Sequence, residues 1–108
     1  MAKHDKFIIN DGKIHFGHVE FHLEILGENN NAKTIGGGWW LLNEAEKKLY
    51  LYGTSIDFGS VTKDKIIEAW KQSTIPARFA GKEIIYSPCL KAHEVIQYVD
   101  KQEKLTNL

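Results

Sequence analysis

Histidine is the residue type of this sequence whose number and spacing first suggest chemistry. Five histidines are present, and His15, His18 and His22 lie within eight positions of one another. An imidazole titrates close to neutral pH, so it can serve as a general base or as a metal ligand. On a strand, His18, Glu20 and His22 would share one face, but a transition-metal site normally draws three ligands from more than one element. We therefore expect no metal, and solvated side chains are the simpler interpretation of the histidines other than His22.

The charge balance of the whole chain excludes two classes of partner. Fourteen basic and fourteen acidic residues give the 108-residue chain a formal net charge of zero. Nucleic acids and anionic membranes are recruited by a cationic field, so we expect neither as a partner. Arg78 is the only arginine. Any anion site must therefore rely on lysine, histidine or backbone amides rather than on a bidentate guanidinium clamp.

Length and composition are typical of one ordinary globular domain. Of the 108 residues, 43% are hydrophobic and 26% are charged, and the chain is too short for two independent cores. Cys89 is the single cysteine, which excludes a disulfide within the chain and a thiol-rich zinc site. No stretch reaches the length of a secretory signal or of a membrane span. We expect a cytoplasmic protein that uses no cofactor.

Turn signals and alternating apolar residues predict most of the strands. The Asn-Asp-Gly sequence at 10–12 predicts a β-hairpin over residues 7–16. Further strands are predicted over 34–42, over 48–53 and over 82–86. Three consecutive glycines lie at the centre of the first of these, and glycines weaken a strand. Either another segment approaches the backbone closely there, or the strand bulges, or a tryptophan packs over the bare backbone.

Two helices and one ambiguous segment complete the predicted elements. Thr62 is a suitable N-cap for a helix that ends near Ser73. A second, C-terminal helix is predicted over 88–104, with proline at its first position. Residues 18–26 fit a strand and a helix equally well, because their apolar positions satisfy both periods. We expect one α/β domain of the α+β type over residues 1–108, with a mixed sheet of five to six strands flanked by two or three helices.

The middle of the chain combines several motifs at a particular spacing. The glycines at 36–38 are followed by two lysines at 47–48 and by the sequence YGTSIDFG at 52–59. Upstream, residues 20–25 read EFHLEI. This arrangement resembles the phosphohistidine phosphatase family, also called the janus/ocnus family, with its GGG, KK, Y-G-x-S-x-x-[YF]-G and E-Y-H-x-D-I segments. The likeness covers roughly positions 6 to 86 and leaves the predicted C-terminal helix outside it.

The resemblance implies a function and a set of site residues. His22 matches the family's catalytic histidine, near the start of a helix, and would act as general base without a metal ion. Lys6 resembles the first-strand lysine that contacts phosphate. Ser55, Ile56 and Asp57 would hold the phosphoryl oxygens through the serine hydroxyl and the backbone amides of their loop. The implied reaction is hydrolysis of a phosphoramidate, with a phosphorylated protein or a small phosphorylated ligand as partner.

Departures from the family pattern suggest a different function. Trp39 follows the glycines where the family has an arginine, and Asp57 brings a carboxylate into the phosphate loop. Trp39, Trp40 and Asp57 would suit a neutral or cationic ligand, so a non-catalytic ligand- or protein-binding module is the alternative. The simpler interpretation of Ser55 is a hydroxyl that bonds its own turn. Pairing through a sheet edge or through the C-terminal helix leaves a homodimer open.

Overall fold

A mixed sheet of six strands organises the part of the chain that the computed structural model describes, residues 3–87 and 103–105. The strands are β1 (His4–Asn10), β2 (Lys13–Val19), β3 (Thr34–Asn43), β4 (Lys48–Tyr52), β5 (Glu83–Ser87) and β6 (Glu103–Leu105), and α1 (Lys63–Gln72) is the α-helix of these residues. Their order across the sheet is β2-β1-β3-β4-β5-β6. Neighbours are antiparallel except β4 and β5, which run parallel. The predicted α+β fold with a mixed sheet is confirmed.

The hairpin predicted from the Asn-Asp-Gly sequence joins β1 and β2. Asp11 and Gly12 have φ angles of 52° and 76°, and Asn10 pairs with Lys13 across the turn. Two successive residues with positive φ form the tight turn whose twist matches that of the flanking strands. Aspartate and glycine tolerate this conformation better than most residues. The sequence of the turn therefore sets the register of the whole hairpin.

The α-helix covers one face of the sheet. Thr62 caps α1, because its hydroxyl oxygen accepts a hydrogen bond from the Lys65 amide at 3.3 Å. Ile66, Ala69 and Trp70 are buried on the inner side of α1. They pack in one apolar cluster with Phe7, Ile9, Ile14, Leu49, Leu51, Val61, Phe79, Ile84 and Tyr86. Among the described residues, no helix is long and apolar enough to cross a membrane.

Residues 18–26 form neither a complete strand nor an α-helix. β2 ends at Val19, and the chain then turns into a 3-10 helix, His22–Glu24. The Glu24 carboxylate accepts a hydrogen bond from the Phe21 amide at 2.7 Å, which satisfies a free donor at the start of this turn. The helix implied for His22 by the family resemblance is thus a single 3-10 turn. The mixed periodicity of the sequence reflects a strand that gives way to a turn.

The glycines of β3 lie where other backbone comes closest to the strand. A Cβ on Gly37 would lie 2.2 Å from the Phe7 carbonyl oxygen and 3.2 Å from Cδ2 of His22. A Cβ on Gly38 would lie 2.4 Å from the Tyr52 carbonyl oxygen. No side chain fits at such distances without displacement of the backbone. The glycines therefore mark positions where neighbouring backbone packs directly against β3.

A bulge follows the glycines toward the start of β3. Ile9 of β1 pairs with Gly36, whereas Asn10 pairs with Thr34, so Ile35 is an extra residue in the ladder. Its side chain is 50% exposed. Two of the three possibilities raised by the sequence, close approach and a bulge, are both present in this strand.

The C-terminal helix predicted over 88–104 lies largely outside the described residues. Its last two positions are the exception, because Glu103 and Lys104 belong to β6, which pairs antiparallel with β5. The family resemblance did not extend to this part of the chain. β6 adds a sixth strand where the sequence pattern predicted the end of a helix.

We expect Gly37→Ala to destabilise the fold severely. The added methyl group would overlap a backbone oxygen that cannot move without breaking the β1–β3 ladder, and overpacking of this kind costs about 3 kcal/mol or more. Gly81→Ala is the matched control, since a Cβ there meets nothing within 4 Å. Its positive φ of 74° costs only about 1 kcal/mol. Urea unfolding of both variants measures the difference, and equal losses would contradict the close approach at Gly37.

Candidate functional site

His22 lies on the sheet face opposite α1, above the glycines of β3. Only 2% of the residue is exposed, and its Nε2 lies 2.8 Å from the carbonyl oxygen of Gly38. A carbonyl oxygen can only accept a hydrogen bond, so Nε2 carries the proton of the neutral ring. Nδ1 therefore holds the lone pair. A glycine backbone contact thus selects the tautomer in which Nδ1 can accept a proton.

The pKa of His22 lies below the ordinary value of 6.5 for histidine. Burial is the largest cause, because it penalises the imidazolium form. The hydrogen bond to the Gly38 carbonyl opposes this, the positive charge of Lys6 lowers the pKa further, and the carboxylate of Asp57 raises it. With a lowered pKa, the ring is neutral at pH 7.

Lys6 is buried beside this histidine, and its side chain is hydrogen-bonded to the backbone. Only 7% of it is exposed, and its ammonium group donates a hydrogen bond to the carbonyl oxygen of Glu20. Nζ also lies 5.5 Å from the centroid of the Trp39 ring, within the range of a cation–π contact. The lysine predicted to contact phosphate therefore fastens β1 to the segment that leads into the His22 turn. An ammonium has three donors, so this bond leaves others for a ligand.

Trp39 contacts both the imidazole of His22 and the ammonium group of Lys6. Its ring meets the imidazole of His22 edge to face, with centroids 5.0 Å apart and planes at 90°. Aromatic pairs favour this geometry, and the contact restrains the orientation of the imidazole. In the sheet, Trp39 pairs with Lys6 on one side and with Tyr52 on the other. Trp39 thus contacts the candidate base edge to face.

The loop predicted to hold phosphate continues the ladder next to β3. The Ser55 amide donates to the Gly37 carbonyl at 3.1 Å, and the Gly37 amide donates to the Gly59 carbonyl at 3.0 Å. The Ser55 hydroxyl accepts a hydrogen bond from the Phe58 amide at 3.1 Å, which is the bond to its own turn that the simpler interpretation expects. The Ser55 amide is therefore used by β3 instead of joining a nest with the next two amides.

The tip of this loop points into solvent. Ile56 is 95% exposed, and Asp57 is exposed as well. Asp57 is nevertheless close enough to act on the pKa of His22. The structure thus brings five of the predicted residues, His22, Lys6, Trp39, Ser55 and Asp57, to one region and leaves Ile56 at its outer rim.

The histidines that could have formed a metal site are not brought together. Nδ1 of His18 lies 2.8 Å from the Asp5 carboxylate on an exposed part of the sheet, whereas His22 is buried against Gly38. The described residues contain no group of three or more His, Cys, Asp or Glu side chains that could hold a metal ion. The chemistry that this region offers is that of a neutral base next to one cation and one carboxylate.

Sequence reasoning missed the two backbone carbonyls that control the site. The Gly38 carbonyl fixes the tautomer of His22, and the Glu20 carbonyl holds the Lys6 ammonium. The residue types of a sequence do not show which backbone carbonyls will accept hydrogen bonds from side chains. The glycine sequence was the available signal, because bare backbone allows a ring to reach a carbonyl oxygen.

Comparisons with known proteins identify no relative: no protein-family model, no curated protein and no solved structure matches the chain.

We expect opposite shifts of the His22 pKa when its two charged neighbours are neutralised. Lys6→Met removes a positive charge and should raise the pKa, and Asp57→Asn removes a negative charge and should lower it. Asp64→Asn, on the first turn of α1, is the control and should leave the pKa unchanged. An NMR titration of the imidazole protons follows each variant. Shifts of the same sign for Lys6→Met and Asp57→Asn would contradict the electrostatics of the site.

Burial of neutral His22 should also make the fold less stable in acid. The pKa of His22 is lower in the folded chain than the ordinary 6.5, so the unfolded chain binds more protons as the pH falls below that value. The free energy of unfolding is then highest above pH 6.5 and decreases as the pH falls toward the pKa of the folded state. Urea unfolding between pH 7.5 and pH 5 should show a smaller decrease for His22→Gln than for the wild type.

Proposed function

We propose that this chain is a phosphohistidine phosphatase-like protein that hydrolyses phosphoramidates with His22 as the general base. The observation that carries the proposal is the hydrogen bond from Nε2 of His22 to the Gly38 carbonyl, which leaves a lone pair on Nδ1. A base that is neutral at pH 7 and fixed in one tautomer has the properties needed to activate water. A cytoplasmic location is part of the proposal, because a single cysteine suits a reducing compartment.

In this reaction, water attacks phosphorus while Nδ1 of His22 takes the proton of the water. The phosphorus–nitrogen bond breaks, and its electron pair leaves with the nitrogen of the substrate. This nitrogen receives the proton that Nδ1 took from the water, so His22 returns to its neutral form. The products are inorganic phosphate and the free amine or imidazole. No metal ion is required, because the base and the donors to the phosphoryl oxygens are all protein groups.

The charges around His22 favour a nitrogen leaving group over an oxygen one. An amine or imidazole becomes cationic when it is released and protonated, and the Asp57 carboxylate at the rim stabilises a cation. Lys6 and the Ser55 hydroxyl would contact the opposite, anionic end of the substrate. A phosphorylated histidine or lysine side chain, on a protein or on a small ligand, carries both ends.

A non-catalytic ligand-binding module is the second candidate, and two observations favour it. The Lys6 ammonium donates to a backbone carbonyl, and the Ser55 amide is bonded to Gly37. Both groups had been predicted to hold phosphate. With the Ser55 amide and one of the three Lys6 donors engaged, the Trp39 ring and the Asp57 carboxylate would line a site for a neutral or cationic molecule.

We expect His22→Gln to lower the rate of phosphoramidate hydrolysis by about 10²-fold or more, the contribution typical of a general base. Glutamine can still donate a hydrogen bond to the Gly38 carbonyl from its amide nitrogen. The melting temperature of His22→Gln should therefore be closer to the wild-type value than the melting temperature of His22→Ala. Release of phosphate from phosphohistidine and phospholysine peptides measures the rate. His18→Gln is the matched control and should keep full activity.

Two outcomes of this assay would reject the phosphatase. One is a wild-type chain without activity on either peptide, and the other is a His22→Gln variant as active as the wild type. If the chain is inactive, titration with lysine-containing peptides tests the binding module. Quenching of tryptophan fluorescence by these peptides but not by phosphate, lost in Trp39→Phe and Asp57→Asn, would then support binding without catalysis.

A further inference from the structure

The outer edge of β2 offers backbone groups to another strand. β2 is the last strand on its side of the sheet, and its pairing with β1 starts at Asn10 and Lys13 next to the two-residue turn. Residues that flank such a turn exchange hydrogen bonds, and the pairs then alternate along the ladder. The backbone amides and carbonyls of Ile14, Phe16 and His18 therefore point away from β1.

One of these three positions is closed. The Ile14 amide donates a hydrogen bond to the Ser73 hydroxyl at 2.8 Å, beyond the end of α1. This bond confirms the outward direction derived from the turn. The outward groups of Phe16 and His18 have no such partner in the hydrogen bonds between described residues. The open edge thus spans the second half of β2 and has a defined end at Ile14.

A cleft lies next to the middle of β2 and meets the open edge at Phe16. The described residues that line it include Ile25 and Leu26, which follow the His22 turn, and Thr74, Pro76 and Arg78, which follow α1. Ile14, His15 and Phe16 of β2 line it as well. A strand added to β2 would place its side chains alternately on the two faces of the sheet. The cleft would then lie next to the added strand where it pairs with Phe16.

Arg78 gives this cleft a charge that none of the described residues neutralises. Its guanidinium lies 5.0 Å from the Trp40 ring centroid and 4.8 Å from that of Phe79, so the two rings hold it in place. Arg78 is exposed, and it forms no ion pair with the residues that the structure describes. None of the described residues lining the cleft is acidic. A fixed, unpaired guanidinium is suited to bidentate binding of a carboxylate.

We infer that the β2 edge binds an extended acidic peptide, which adds a strand to the sheet and places a carboxylate on Arg78. Strand addition draws affinity from main-chain hydrogen bonds and specificity from side-chain pockets. Here the outward groups of Phe16 and His18 supply the hydrogen bonds, and Arg78 in the neighbouring cleft selects the charge. This surface is separate from the His22 site and does not depend on the phosphatase proposal.

A second copy of the chain fits this edge less well. β2 reads KIHFGHV and contains no acidic residue. Antiparallel pairing of two β2 strands would bring their lysine and histidines together and leave both Arg78 side chains without a carboxylate. Charge complementarity therefore favours a foreign acidic segment over self-association.

The test uses a random heptapeptide library rich in Asp, Glu, Val and Thr, selected against the whole chain, followed by fluorescence anisotropy with the enriched peptides. We expect enrichment of Asp or Glu at one position with apolar residues two positions away. His18→Pro removes an outward amide, and proline is tolerated on edge strands. This variant should weaken binding at least about tenfold, or 1.4 kcal/mol. Arg78→Gln should do the same, and Arg78→Lys should be intermediate.

The matched control is His18→Ala, which also loses the contact with Asp5 but keeps the outward amide. It should bind like the wild type, and circular dichroism should show that every variant is folded. N-methylation of the selected peptides at alternate residues should abolish binding. The inference is overturned if no acidic peptide is enriched, if His18→Pro binds as well as His18→Ala, or if light scattering shows a dimer that His18→Pro dissolves.

Discussion

The site depends on the absence of side chains at consecutive positions of β3. At Gly37 and Gly38 the strand presents bare backbone, so the imidazole of His22 can lie against it and reach a carbonyl oxygen at 2.8 Å. A side chain at Gly37 would clash with the backbone of β1 and displace the ring. The glycines lower the stability of β3, because glycine loses more backbone freedom on folding than other residues. They also give a buried histidine the hydrogen bond without which its burial would be costly.

Backbone carbonyl groups stabilise the polar side chains of this site as much as neighbouring side chains do. The Lys6 ammonium is satisfied by a carbonyl of the segment before His22, and the imidazole by a carbonyl of β3. A buried lysine next to a histidine would otherwise carry a large desolvation penalty. Together these bonds tie β1, β3 and the His22 turn into one unit. Burial is the main reason that the pKa of His22 is lowered, and the cation beside it lowers this pKa further.

Much of the fold was predictable because local signals and long-range packing agree. The Asn-Asp-Gly turn fixed the hairpin, and Thr62 marked the start of α1 through a capping bond that the structure contains. The segment at 18–26 was not predictable, because its apolar positions fit two periods, while the strand ends at Val19 and a 3-10 turn packs His22 against β3. The family resemblance indicated His22, Lys6 and Asp57, and Trp39 was indicated by its departure from the family pattern. The sequence could not show that the Ser55 amide bonds to Gly37, since backbone pairing follows from the path of the chain.

The hydrogen bonds of Gly37 restrict the length of the loop that follows β4. Both the amide and the carbonyl of Gly37 are bonded by the loop that starts after β4, through Gly59 and Ser55, so this loop occupies the position that a longer β4 would fill. Ser55 and Gly59 also form a bridge with each other. Inserting or deleting a single residue between them would break one of these bonds next to His22. In contrast to most surface loops, which accept length changes readily, this one should have a fixed number of residues in any homologue that keeps the site.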